Sequence, residues 1–379
     1  MPRQILTAAK LFDGTTLHSG LSVVTDGAQI VAIVPDADAP PGPRLALDGI
    51  LAPGLVDLQV NGGGGEMLDG SADADALRRI CDAHARLGAT AILPTLITDT
   101  PEATARVLAA GAAATRALVP GFAGLHLEGP HLDPRRKGAH DPALIRPMTA
   151  SDLAMLIAAR PTLPGLMVTL APEAATPDQI AALTRSGVTV SLGHSDCTCA
   201  QAQAAFAAGA SCVTHLFNAM SPLGHREPGL VGAALDSPVW AGLIADGIHA
   251  APTALRIAMA AKGAPGLFLV SDAMAVAGTR LTAFTLGTRR ILRRDGRLTL
   301  EDGTLAGADL SLPQALRVVT DLGVPLALAL QMATARPASV IGASDRLGHL
   351  APGRQADMVL LDDRLSLRRV WRAGVALDL

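Results

Sequence analysis

The chain has 379 residues, of which 49% are hydrophobic, 17% are charged and 2% are aromatic, and its formal net charge is −3. This composition excludes a disordered chain, because there is ample apolar side chain to bury a core. With no Tyr and no run of consecutive basic residues longer than Arg135-Arg136-Lys137, it also argues against a nucleic-acid-binding surface. No apolar run approaches about 18 residues and no signal-peptide pattern is visible, so we expect a cytoplasmic protein without a membrane span. Four cysteines are too few for a disulfide scaffold.

Both ends of the chain have the character of short strands. Residues 20–25 and 28–34 flank Asp26-Gly27, a pair typical of a hairpin turn. Near the other end, residues 357–362 and 368–373 follow Pro352-Gly353 and again have strand character. We therefore predict a small β-sandwich-like domain formed by residues 1–50 and 346–379, with a larger domain at residues 51–345.

In the middle of the chain, apolar strand-like runs alternate with Ala-rich helical segments. The runs cover residues 50–58, 89–94, 124–127, 166–170, 188–192, 211–215, 240–245 and 267–270. The helical segments cover residues 72–87, 102–118, 151–159, 177–186 and 200–208. This alternation implies parallel strands joined by crossover helices, and eight runs predict an α/β fold of the (β/α)8 TIM-like barrel type. A doubly wound open sheet is the structural alternative, and residues 284–300 predict an inserted hairpin.

Polar side chains follow six of the eight runs, at the points where the runs end. They are Asp57, Gln59 and Asn61, then Glu128, then His194, then His215 and Asn218, then Asp246 and His249, and last Asp272. In a barrel these positions converge on one mouth, where barrel enzymes hold their catalytic groups. A single His or Asp at such a position is more often a structural residue or a helix N-cap, and Asp57 and Asp246 fit that simpler interpretation.

Three of these residues form a pattern that chance explains poorly. Glu128, His194 and His215 offer one carboxylate and two imidazoles from nearby strands, which is the ligand pattern of a catalytic metal with room for water. A metal in such a site activates water as a nucleophile near neutral pH. Asp272, one strand further round, is then placed to accept a proton and to deliver it to a leaving group.

We expect one divalent metal for each subunit. The only lysines are Lys10, Lys137 and Lys262, and none lies in a predicted barrel strand, which excludes a two-metal site bridged by a modified strand lysine. The first strand offers Gln59 where a second metal would need imidazole. Zinc is the first expectation, while Fe(II), Co and Mn also suit a Glu/His/His site.

The motifs at residues 126–131, 137–140, 193–195, 215–220, 246–249 and 271–274, in this order, resemble the N-acetylglucosamine-6-phosphate deacetylases of the amidohydrolase superfamily. The resemblance covers residues 53–307, and the flanking β segments are similar to that family's small domain. It implies hydrolysis of the acetamide of N-acetylglucosamine 6-phosphate to glucosamine 6-phosphate and acetate, a step of amino-sugar metabolism. It also implies that Glu128, His194 and His215 bind the metal and that Asp272 is the catalytic acid and base.

The same resemblance implies roles for further residues. His140 would polarise the acetamide carbonyl, and Arg226 and His249 would bind the phosphate, which a planar guanidinium suits. The implied substrate-binding residues are Ala139, His140, Asn218, Ala219, Arg226, His249, Leu305, Ala306 and Gly307. The family completes its phosphate site across a subunit interface, so a homodimer is implied. Ala308 stands where the family usually has Ser.

Two alternatives stay open on the sequence. One is another amidohydrolase activity, on a cyclic amide or on a different acetamido sugar. The other is a catalytically silent barrel that serves as a sugar-phosphate sensor or scaffold. Retention of all three ligand residues together with Asp272 argues against the silent barrel, because binding alone requires no proton transfer.

Overall fold

A computed structural model, which describes residues 3–379, contains a parallel barrel of eight strands. The strands are β1 (Leu55–Val60), β2 (Ala89–Ile97), β3 (Leu125–Glu128), β4 (Leu166–Leu170), β5 (Thr189–Leu192), β6 (Cys212–Val213), β7 (Trp240–Leu243) and β8 (Leu267–Leu269). Each strand pairs with the next in chain order. The barrel closes where the Asp272 backbone N–H donates to the Gln59 carbonyl and that of Asn61 donates to Ala273. The predicted barrel is therefore confirmed over the open sheet.

Helices follow the barrel strands and pack on the outside of the barrel. They are α1 (Ala74–Arg86), α2 (Pro101–Arg116), α3 (Ala150–Ala159), α4 (Pro177–Arg185), α5 (Cys199–Ala207), α6 (Gly229–Asp236), α7 (Pro252–Lys262), α8 (Leu312–Asp321), α9 (Leu326–Met332) and α10 (Ala335–Val340). Thr149, Thr176 and Thr198 form capping boxes that satisfy the first backbone N–H groups of α3, α4 and α5. Among residues 3–379, no helix combines the length and the apolar character needed to cross a membrane.

The two ends of the chain form one sheet. Its strands are Gln4–Phe12, Leu17–His18, Leu21–Asp26, Gln29–Pro35, Arg44–Pro53, Met358–Leu361, Leu367–Arg372 and Val375–Ala376. The strand Arg44–Pro53 joins the ends, because it pairs in parallel with Gln4–Phe12 and antiparallel with Met358–Leu361. A separate apolar cluster, formed mostly by side chains of this terminal sheet, includes the fully buried Trp371. A small domain made from both ends is thus present, and the domain boundaries at residues 50 and 346 stay a prediction.

The first predicted run, residues 50–58, does not form one strand. It divides at Gly54 between the last strand of the N-terminal segment and β1. A Cβ atom on Gly54 would stand 1.9 Å from the Thr90 hydroxyl oxygen, so only glycine permits this close approach of the backbone to β2. The chain therefore passes from the terminal sheet into the barrel at a position where no side chain fits.

The inserted segment after β8 is larger than the predicted hairpin. It forms a four-stranded antiparallel sheet of Ala283–Leu286, Arg289–Arg294, Arg297–Leu300 and Leu305–Ala308. Its apolar face packs on Met274 and Val276 and reaches Ile97 and Ala139. The inserted sheet consequently forms one wall at the carboxyl end of the barrel. A short pair, Gly62–Gly63 with Glu66–Met67, lies nearby after β1.

Candidate active site

The polar residues predicted at the strand ends do meet at one end of the barrel. A cavity of about 170 Å³ lies there. It is lined by Asn61, Ile97, Glu128, Gly138, Ala139, His140, His194, His215, Asn218, Ala219, Ile244, His249, Asp272, Met274, Leu286, Leu305 and Gly307. The carboxyl ends of the strands supply the charged and imidazole groups, and the inserted sheet supplies an apolar wall.

Glu128, His194 and His215 are buried together, with one ligand atom from each lying within 4.8 Å of the others. Glu128 Oε1 is 3.2 Å from His194 Nε2 and 3.0 Å from His215 Nε2, and the two Nε2 atoms are 3.0 Å apart. His194 Nδ1 donates to the Arg136 carbonyl over 2.8 Å, which leaves its Nε2 lone pair free for a ligand. A carboxylate and two converging imidazoles fit a divalent metal, and the three side chains could hold one.

The electrostatic surroundings of Glu128, His194 and His215 favour the binding of a cation. Burial alone would raise the pKa of the Glu128 carboxyl, but hydrogen bonds with His194 and His215 hold that pKa well below its ordinary value. Gln59 Nε2 donates to Glu128 Oε1 over 3.0 Å. Because the Gln59 amide presents a donor at this point, β1 contributes a hydrogen bond to the Glu128 carboxylate rather than a further imidazole.

Asp272 lies beside these three residues in the same cavity, immediately beyond β8. Asn61 Nδ2 donates to Asp272 Oδ1 over 2.6 Å, which fixes the direction of the carboxylate. Burial and the nearby charge of Glu128 raise the pKa of Asp272 to about 6. A carboxyl that titrates close to neutral pH is suited to accept a proton in one step and return it in the next. The sequence pattern had placed Asn61 at this strand end but gave it no role.

His140 approaches the cavity from the loop after β3. Its Nδ1 is 2.7 Å from Thr98 Oγ1 and receives a hydrogen bond from the Thr98 backbone N–H over 3.3 Å. Its ring packs edge-on against His194 with centroids 4.3 Å apart. Arg289, from the inserted sheet, donates to the carbonyl of Ala139 over 2.5 Å. Sequence reasoning missed Thr98 and Arg289, since each contact joins distant segments that no motif connects.

The residues assigned to the phosphate are divided between two places. His249 lines the cavity, and its Nδ1 is 2.6 Å from Asp246 Oδ2. Asp246 also accepts hydrogen bonds from the backbone of residues 248 and 249, so it holds the loop as well as the imidazole. Arg226 instead lies exposed on the segment between β6 and α6, outside the residues that line the cavity.

The predicted sugar contacts at the end of the inserted sheet are likewise divided. Leu305 and Gly307 line the cavity, whereas Ala306 is buried in the apolar cluster with Met274 and Val276. Successive side chains of a strand point to opposite faces, which explains the difference. Ala139, Asn218 and Ala219 line the cavity, and their contact with a sugar stays a prediction.

Comparisons of sequence and of structure with known proteins agree with one another. The sequence profile of the amidohydrolase family matches residues 50–376. The N-acetylgalactosamine-6-phosphate deacetylase of Shewanella sp. (strain ANA-3) is 43% identical over 328 residues, 86% of this chain and 82% of that protein. The N-acetylglucosamine-6-phosphate deacetylase of Haemophilus influenzae is 34% identical over 345 residues, covering 89% and 90%. The crystal structure of N-acetylglucosamine-6-phosphate deacetylase from Pasteurella multocida superposes with a TM-score of 0.94 at 31% identity, over 99% of both chains.

Proposed function

This chain belongs to the amidohydrolase family, and from that premise we propose that it hydrolyses the acetamide of N-acetylglucosamine 6-phosphate to glucosamine 6-phosphate and acetate. The observation that carries the proposal is the meeting of Glu128, His194 and His215 with Asp272 in one buried cavity. Binding a sugar phosphate would require none of these four groups. Hydrolysis of an amide requires both an activated water molecule and a proton carrier.

We propose that Glu128, His194 and His215 hold one divalent metal, with zinc as the first candidate and Fe(II), Co and Mn as the others. When bound, a metal of this kind lowers the pKa of water and polarises a carbonyl oxygen. The protein contributes the orientation of the ligands: the Arg136 carbonyl fixes His194, and Gln59 holds the Glu128 carboxylate.

The proton transfers fall to Asp272. Its carboxylate accepts a proton from the attacking water as the new C–O bond forms, and it then protonates the nitrogen as the C–N bond breaks. Asn61 keeps the carboxylate aimed into the cavity during both steps. His140 donates a hydrogen bond to the carbonyl oxygen, where negative charge develops in the tetrahedral state.

We propose that Ala139, Asn218, Ala219, Leu305 and Gly307 surround the sugar and that His249 contacts its phosphate. Arg226 lies outside the cavity of its own chain, so we propose that it completes the phosphate site of a second subunit in a homodimer. A phosphorylated amino sugar is then the small-molecule partner of this protein. A cytoplasmic location stays a prediction.

The direct test is acetate release from N-acetylglucosamine 6-phosphate by the purified protein, as isolated, after chelation and after addition of zinc or Fe(II). We expect turnover that is lost on chelation and regained with metal. If no acetate is released under metal-replete conditions, N-acetylglucosamine 6-phosphate is excluded as the substrate. Other acetamido sugars and cyclic amides would then be assayed. Bound metal without turnover on any of them would instead favour a sugar-phosphate sensor.

N-Acetylgalactosamine 6-phosphate is a second candidate substrate. The observation in its favour is the 43% identity to the Shewanella deacetylase named for that sugar, against 34% to the Haemophilus deacetylase named for the glucosamine derivative. The two sugars differ only in the configuration at C4. Measuring kcat/KM for both under the same conditions decides between them, because the higher value identifies the epimer that the site fits better.

A further inference from the structure

We propose that Thr98 is a positioning residue that fixes the tautomer of His140, so that the neutral imidazole carries its proton on Nε2, facing the cavity. The inference rests on the proposed function only in taking His140 as the hydrogen-bond donor to the substrate carbonyl. The tautomer itself follows from contacts within the protein.

The first contact between Thr98 and His140 is made by the backbone. Thr98 is buried and directly follows β2, and its backbone N–H donates to His140 Nδ1 over 3.3 Å. An amide N–H can only donate, so this long contact favours an unprotonated Nδ1 that accepts the hydrogen bond. The remaining proton of the neutral ring therefore lies on Nε2.

The Thr98 hydroxyl strengthens the same assignment. Its Oγ1 is 2.7 Å from His140 Nδ1 and 3.5 Å from the Glu128 carbonyl, so the imidazole nitrogen is the nearer acceptor for the hydroxyl proton. Both the opposite tautomer and the imidazolium ion would direct an Nδ1–H against the Thr98 N–H. Two donors on one nitrogen thus select a single form of the ring.

The other nitrogen of the ring is free for substrate. His140 lines the cavity, and among residues 3–379 no protein atom is hydrogen-bonded to its Nε2. Edge-on packing against His194 limits rotation of the ring. An N–H held in this direction before substrate arrives stabilises an oxyanion without reorganisation, whereas the opposite tautomer would present a lone pair to the same oxygen.

The test compares Thr98→Val, which removes the hydroxyl, with Thr98→Ser, which retains it. Thr104→Val is the matched control, because Thr104 is also a buried threonine whose hydroxyl donates to a backbone carbonyl, on α2 and without a hydrogen bond to His140. Nitrogen-15 NMR of the imidazoles in the zinc-loaded protein, without substrate, reports which nitrogen of His140 is protonated.

We expect the unaltered protein, Thr98→Ser and Thr104→Val to show a protonated Nε2 and an unprotonated Nδ1. Thr98→Val retains only the longer backbone contact and should show a mixture of tautomers. Its kcat should fall by about 10- to 100-fold with KM changed less than about 3-fold, as for loss of a group that orients a catalytic side chain. Thr98→Ser should regain most of that kcat.

Two results would overturn the proposal: a protonated Nδ1 in the unaltered protein, or a Thr98→Val protein with an unchanged imidazole spectrum and unchanged kcat. Thr98→Ala provides a second variant if the valine variant does not fold. Failure of the proposed function is distinguishable, because it would appear as lack of acetate release by the unaltered protein while the NMR result stays as expected.

Discussion

The catalytic end of the barrel and the terminal sheet both bury side chains, but of opposite kinds. Around the cavity the buried groups include Asn61, Glu128, His140, His194, His215 and Asp272. In the strands of the terminal sheet, within the residues that the structure describes, the buried polar side chains are Ser22 and Thr25. Burial at the catalytic end therefore encloses groups that can take part in chemistry, whereas burial in the terminal sheet mainly packs apolar side chains together.

The backbone at the catalytic end is also unusual. His194, His215 and Asp272 all have positive φ, with values of 48°, 33° and 50°. Side chains other than glycine seldom adopt this region, and residues held there cost about 1–3 kcal/mol each. The catalytic end therefore tolerates both strain and buried charge, which the apolar packing elsewhere has to offset.

Asp272→Asn should lower activity strongly without lowering stability, which distinguishes the catalytic end from the terminal sheet. We expect kcat to fall by about 10²- to 10⁴-fold, because the amide cannot carry a proton between water and the leaving nitrogen. The thermal midpoint should stay the same or rise, since a buried carboxylate is removed. Acetate release and thermal unfolding measure the two effects, with metal content as the control. Near-normal turnover would remove Asp272 from its role.

Trp371→Ala should give the opposite pattern. The side chain is fully buried in the cluster of the terminal sheet, so its removal should lower the free energy of unfolding by about 3–5 kcal/mol. The folded fraction should keep an unchanged kcat/KM. Denaturant unfolding with assays below the transition checks both. Arg369→Ala is the matched control, because it removes an exposed side chain whose guanidinium carbon lies 5.7 Å from the centre of the indole ring. A parallel loss of kcat/KM would show that the two regions are not separable.

Arg226→Ala tests whether function extends beyond the buried cavity. We expect kcat/KM for the phosphorylated sugar to fall by about 10- to 100-fold, the effect of losing a charged hydrogen bond to phosphate. Unphosphorylated N-acetylglucosamine should be affected little. An equal loss on both sugars would refute the phosphate role. Size-exclusion chromatography with light scattering on the same samples reports the proposed homodimer.

Two buried carboxyls should give pH dependences of stability with opposite sign. Burial raises the pKa of Asp57 to about 7, so the folded state holds a proton more tightly than the unfolded chain, and this contribution is lost as pH rises through about 7. Burial would also raise the pKa of Asp152, but Arg146 and Thr149 lower it overall, so its contribution is lost as pH falls below about 4.

Unfolding at pH 5 and pH 8 measures the first effect. Compared with the unaltered protein, Asp57→Asn should abolish a loss of about 2–3 kcal/mol between these pH values. Asp152→Asn, at the start of α3, should leave that loss in place and should instead flatten the stability curve below pH 4. Identical pH profiles for all three proteins would contradict the assignments.

Much of the site could be predicted from sequence because strand ends are visible in sequence. An apolar run followed by a polar side chain marks the mouth of a barrel, which placed Glu128, His194, His215 and Asp272 correctly at one cavity. The contact between Thr98 and His140 has no such signal, since it joins two loops by a hydrogen bond. The division at Gly54 also escaped the sequence, because an apolar run does not show where the chain changes sheets.

The terminal sheet has a consequence for how the chain is made. Leu51 pairs with Leu360, so an N-terminal strand stays without its neighbour until the ribosome has added roughly 300 more residues. At about 5–20 residues per second, that interval is about 15–60 seconds. Throughout it, the unpaired edge of Arg44–Pro53 is open to wrong partners. Closure of this sheet therefore has to wait until all eight barrel strands have been synthesised, and a chain released before residue 358 would carry a barrel beside an unpaired strand edge.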